Sequence, residues 1–158
     1  MTASQLLCAT TVDALSSELL LRFWHWLVPD GFRILCVTRI GDAFLEAPDS
    51  AIWWLDVGQA HFEPVARNEA DWLSRLEDST LLNDWSARLL VEKIEAAGLS
   101  PPEGHCFTYL QCPILGGLYE PDNFKSVPIQ QHFNIWGPIH ERLRGLPDGT
   151  HVRFEVVE

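Results

Sequence analysis

Phe32-Arg33-Ile34-Leu35-Cys36-Val37-Thr38-Arg39-Ile40, Ala43-Phe44-Leu45-Glu46-Ala47, Ala51-Ile52-Trp53-Trp54-Leu55-Asp56-Val57 and His61-Phe62-Glu63-Pro64-Val65 are four runs rich in β-formers. Between them stand the turn signals Gly41-Asp42, Pro48-Asp49-Ser50 and Gly58-Gln59. Short strands joined by tight turns pair antiparallel with their sequence neighbours, so this stretch predicts a meander. In the third run, alternation puts Trp53 with Leu55 on one face and Ile52, Trp54 and Asp56 on the other. A charged Asp56 keeps the two faces from being equally dry, which directs one of the tryptophans toward solvent or a partner.

Working outward, Thr11 to Val28 reads as a helix. Leu15, Leu19, Phe23 and Trp26 recur at helical spacing, Leu20, Trp24 and Leu27 widen the stripe, and Pro29-Asp30-Gly31 stops it. After the meander, Asn68 caps a short helix to about Glu77, and a longer one runs from about Leu82 to Ala97 before Gly98 and Pro101-Pro102. His105 to Leu110 is a strand. Ile129 to Arg144 is a helix that Gly137-Pro138 should kink or divide. His151 to Val157 is a final strand. The expected architecture is α+β: an antiparallel sheet, the meander plus C-terminal strands, packed with about four helices in a single domain spanning residues 1–158.

The 158 residues carry 22 acidic and 11 basic side chains, a net charge of −11, and no Lys/Arg cluster of the kind phosphate binding needs. Direct nucleic-acid binding is not expected. Seven tryptophans and eight phenylalanines are a heavy aromatic load, to be shared between core anchors and a partner surface, where tryptophan is over-represented. Acid and aromatic bulk together suit a basic protein partner. The N-terminus lacks the basic start of a secretory signal and the apolar runs are too short to span a membrane, so a cytoplasmic protein is expected. Cys36, inside an apolar strand, reads as a buried thiol.

Between the strand at His105 to Leu110 and the helix at Ile129 to Arg144 lies Cys112-Pro113-Ile114-Leu115-Gly116-Gly117-Leu118-Tyr119-Glu120-Pro121-Asp122-Asn123-Phe124, with neither helical nor strand periodicity. Two prolines and a Gly-Gly pair specify its path, whether for structure or for function. His132 and His140 have no carboxylate at metal-triad spacing, so hydrogen-bonded structural roles are expected and no metal or cofactor is assigned. Cys106 or Cys112 could meet His132 or His140 in space. That keeps a cysteine- or metal-dependent hydrolase as an alternative, beside a scaffold or ligand-binding module with a possible homodimer. No catalytic residue is assigned, and an enzyme is not expected.

The pattern Leu115-Gly116-Gly117-x-Tyr119-x-Pro121-x-Asn123-Phe124, followed by His132-Phe133, Gly137-Pro138-Ile139-His140 and Leu146-Pro147-Asp148-Gly149-Thr150, resembles a known family. It looks like the C-terminal domain of type VI secretion immunity proteins that neutralise DNase effectors. Gly41-Asp42-Ala43-Phe44, Trp54-Leu55-Asp56, Trp72 and Asn83-Asp84-Trp85 follow that family's order, extending the resemblance over about residues 39–150. The resemblance implies a non-enzymatic protein that binds a cognate toxin, with the motif residues, His132 and His140 holding the fold. The candidate partner-binding residues are Asp42, Glu46, Asp49, Trp53, Trp54 and Asp56 on the meander, then Tyr119, Glu120 and Asp122.

Overall fold

The computed structural model describes residues 8–11 and 13–155. Five antiparallel strands lie in sequence order: β1 (Cys8–Thr11), β2 (Arg33–Thr38), β3 (Ala43–Glu46), β4 (Ile52–Asp56) and β5 (His61–Ala66). The last four are the predicted meander. Gly41, at φ 84°, makes the β2–β3 turn, and Ala47 N–H bonds Ala51 C=O at 2.8 Å across the β3–β4 turn. Ala43 pairs with Leu55 and Glu46 with Ile52, so Asp42 and Asp56 belong to one end of the β3–β4 pair and Glu46 and Asp49 to the other. β1 was not anticipated; it ends at Thr11, where the stretch read as helix begins. That helix is shorter than expected: α1 (Ala14–Leu21) gives way to hydrogen-bonded turns through Val28.

Alternation along the strands builds a core on each face of the sheet. Phe44, Ile52 and Trp54 point to one side, against Trp72 of α2 (Glu69–Arg75), Leu76 at its C-terminal end and Trp85 of α3 (Ser79–Ser86). The Phe44 ring centroid lies 5.2 Å from those of both Trp72 and Trp85. Ala43, Leu45 and Leu55 point to the other side, where Trp24, Phe107, Phe133 and Trp136 fill the larger core. That layer holds α4 (Arg88–Ala96), a second sheet of β6 (His105–Tyr109) with β7 (Phe124–Pro128), and α5 (Ile129–Leu143). Both tryptophans of β4 are partly buried: Trp54 in the first core, Trp53 stacked on Phe62 at 4.7 Å and edge-on to Phe32.

Five readings need correction. The helix read as one from Leu82 to Ala97 is two, because Ala87 adopts a left-handed conformation (φ 49°). β7 was missed. The final strand does not form among the described residues 151–155. α5 runs uninterrupted through Pro138. Trp24 Nε1 donates to Phe133 C=O at 3.0 Å and Trp26 Nε1 to Gly137 C=O at 3.2 Å, so the 22–28 turns grip the helix just ahead of the proline. Cys36 is buried but disulfide-bonded, not a thiol. Among the described residues no helix is long and apolar enough to cross a membrane.

Candidate functional site

The loop between β6 and β7 closes on itself through one side chain. Asn123 donates from Nδ2 to Gln111 C=O and to Leu118 C=O, each at 2.9 Å, and its Oδ1 accepts from Gln111 N–H at 2.9 Å. Gln111 Nε2 in turn donates to Leu115 C=O at 2.6 Å. Gly116 is left-handed (φ 88°), and a Cβ on Gly117 would stand 1.8 Å from Gln111 C=O. Only glycine admits that approach. Phe124 is buried against Tyr109, with centroids 5.0 Å apart. Gly116, Gly117, Asn123 and Phe124 thus hold the loop's path, while Leu118, Glu120 and Asp122 are exposed.

Below the loop lies a buried polar cluster. A carbonyl can only accept, so His132 Nε2, 3.0 Å from Gly41 C=O, carries the proton. His132 Nδ1 then accepts from Thr108 Oγ1–H at 2.8 Å, and Thr108 Oγ1 accepts from Trp136 Nε1 at 2.8 Å. Every polar atom of this chain is partnered, and burial, its largest cause, brings His132 from 6.5 down to about 4. Its folded value being lowered, the neutral ring stabilises fully above pH 6.5 and this contribution is lost as pH falls toward 4. The shift corresponds to about 3 kcal/mol. Between pH 7 and pH 4, wild type should lose about 3 kcal/mol more than His132→Gln, read from urea midpoints. Equal losses would place the titration elsewhere.

The same cluster bears on the hydrolase alternative. His140 Nε2 lies 2.7 Å from Val57 C=O and so is also protonated. Cys112 Sγ, 3.6 Å from that nitrogen, faces a donor rather than a base; its own proton goes to Gly58 C=O at 3.0 Å. Burial pushes the Cys112 thiol up to about 12 and the Cys106 thiol up as well. Neither sulfur has the electropositive, open setting of a nucleophilic thiolate. His140 Nδ1 is buried without a partner.

The structure divides the expected partner-binding residues. Asp42 is 2% exposed, its carboxylate accepting from Val57 N–H at 3.0 Å, so it is not available to a partner. Burial, and next the charge of Asp56, raise its pKa well above the carboxylate range. Trp54 belongs to the core. Glu46 pairs with Arg33 at 2.9 Å, and Asp49 caps Ala51 N–H at 3.0 Å, both at the far end of the meander. Asp56, its pKa raised chiefly by burial, accepts from Gln59 N–H at 3.0 Å. Gln59 Nε2 reaches Tyr119 Oη at 3.1 Å. This bond joins one end of the meander to the loop, so Asp56, Tyr119, Glu120 and Asp122 come together and Glu46 with Asp49 do not. Sequence reasoning missed the loop's exposed apolar residues: Ile114 is 49% and Leu118 68% exposed. Their flanking by Pro113 and the Gly116-Gly117 pair was the available signal.

No curated protein matches the chain. In fold it is similar to the crystal structure of Atu4351 from Agrobacterium tumefaciens, with a TM-score of 0.60 at 12% identity. That likeness covers 81% of this chain and 65% of the other, so the chain spans just under two thirds of that protein. Residues 66–140 match the family model described as "T6SS immunity protein Tdi1, C-terminal". The match starts at the end of β5, takes in α2 to β7 with the whole Leu115–Phe124 loop, and closes at His140. It is narrower than the expected 39–150 and leaves most of the meander outside. Residues 66–140 are thus similar to the C-terminal domain of the type VI secretion immunity protein Tdi1.

Proposed function

We propose that this protein binds a cognate nuclease toxin delivered by type VI secretion and neutralises it by occlusion, without chemistry of its own. The observation that carries the reading is the family match over residues 66–140. The net charge of −11 supports it, because a nuclease presents a basic nucleic-acid groove to which an acidic protein is steered. The buried thiols and the internally satisfied His132 support a binding role over the hydrolase alternative. Since the nuclease would act on DNA, the proposed place of action is the cytoplasm.

Co-expression with the secreted nuclease encoded beside its gene should restore growth of cells that the nuclease alone kills. The purified pair should co-elute from a sizing column ahead of either component. Continued killing together with separate elution would contradict the reading.

A further inference from the structure

Large apolar side chains are concentrated in one exposed region. Among the described residues, Leu110 (58% exposed), Ile114, Leu118 and Tyr119 project from the β6–β7 loop. Val152 and Phe154 lie exposed in the C-terminal stretch, and with Leu110 and Ile114 they line a groove of about 800 Å³. A flexible loop would fold such side chains inward. This one cannot, because Asn123, Gln111 and the close approach at Gly117 fix its backbone. Rigid, outward-held apolar residues lose little entropy on binding and are the usual energetic centre of a protein interface. The rim is acidic: Glu120 and Asp122 are exposed beside Tyr119, and Asp56 is linked to it through Gln59. The groove wall itself is mixed, with Lys125 and His151, so the acid belongs to the loop side.

We infer that this loop end is the docking surface and that Leu118, Glu120 and Asp122 set specificity for a protein partner presenting an apolar pocket ringed by Lys and Arg. The occupant's chemistry follows from charge complementarity: an apolar centre that excludes water, and an acidic rim that selects a basic one. Residues that hold the loop alternate with residues it displays, so the displayed positions can change without loss of the fold. The inference rests on the proposed function and narrows it to one surface.

The test uses the full chain and the same nuclease, inactivated at a catalytic residue, in biolayer interferometry. Leu118→Asp should weaken binding on the order of 100-fold, mainly through faster dissociation. Glu120→Lys with Asp122→Lys should lower the association rate and its salt dependence. Glu46→Lys with Asp49→Lys, at the far end of the meander, should stay within about twofold of wild type. Leu118, Glu120, Asp122 and Asp49 are exposed, while Glu46 is half-buried beside Arg33, so urea midpoints are used to check the folding of every variant. Loop variants that bind like wild type, or a far-end pair that weakens binding as much as the loop, would overturn this inference alone. No complex with the unaltered chain would overturn the proposed function and this inference with it.

Discussion

Gly41→Ala is expected to leave almost no soluble folded protein. Gly41 has φ 84°, and a Cβ there would stand 2.1 Å from His132 Nε2 and 2.6 Å from both carbons beside it. The left-handed backbone alone costs an alanine about 1–2 kcal/mol. The ring has no room to retreat, being bonded on its other side to Thr108 and stacked edge-on to Phe133. Displacing it breaks both of its hydrogen bonds and unseats the Thr108–Trp136 link. The total should reach at least about 4 kcal/mol, comparable to the whole stability of a small domain. Gly98→Ala supplies the control: its φ is 96° and nothing lies within 4 Å of the added carbon. It should cost only about 1–2 kcal/mol. Urea denaturation of both variants isolates the steric part, and a Gly41→Ala midpoint equal to that of Gly98→Ala would show that His132 can move aside.

The second large effect separates folding from binding. Gly117→Ala puts a Cβ 1.8 Å from Gln111 C=O and 3.0 Å from Asn123 Nδ2. The neighbour is backbone, so the loop must move, and the three Asn123 hydrogen bonds go with it. At about 1 kcal/mol each, the loss is about 3 kcal/mol. It falls on a surface loop, so the core clusters on either face of the meander should persist. The expected result is a folded protein with a lowered urea midpoint, the same far-ultraviolet circular dichroism, and toxin affinity reduced at least as much as by Leu118→Asp. Unchanged affinity would mean that the loop's shape does not matter to recognition.

The meander could be read from sequence because its signals are local: β-rich runs separated by Gly41-Asp42, Pro48-Asp49-Ser50 and Gly58-Gln59. The elements that were missed depend on distant partners. β7 has only Phe124 and Val127 buried, beside exposed Lys125 and Pro128, and it is a strand because β6 lies alongside. Ala87 breaks a helix with no local warning. The aromatic run after Leu21 has helical spacing, yet its indoles bond carbonyls of α5 more than a hundred residues away. At the site, Asp42 looked like surface charge because a turn residue beside glycine usually is. Burial by the strands and β6 behind it reverses that. Ile114 and Leu118 carried the opposite trap, since apolar residues default to a core reading until a fixed backbone is seen to hold them out.

Titrating the active form of the proposed toxin with this purified protein tests the central claim most directly. Nuclease activity should fall to background as the two reach equal molar amounts, in one saturable step and at low ionic strength as well as physiological salt. Full nuclease activity at a tenfold excess of the acidic partner would contradict the account.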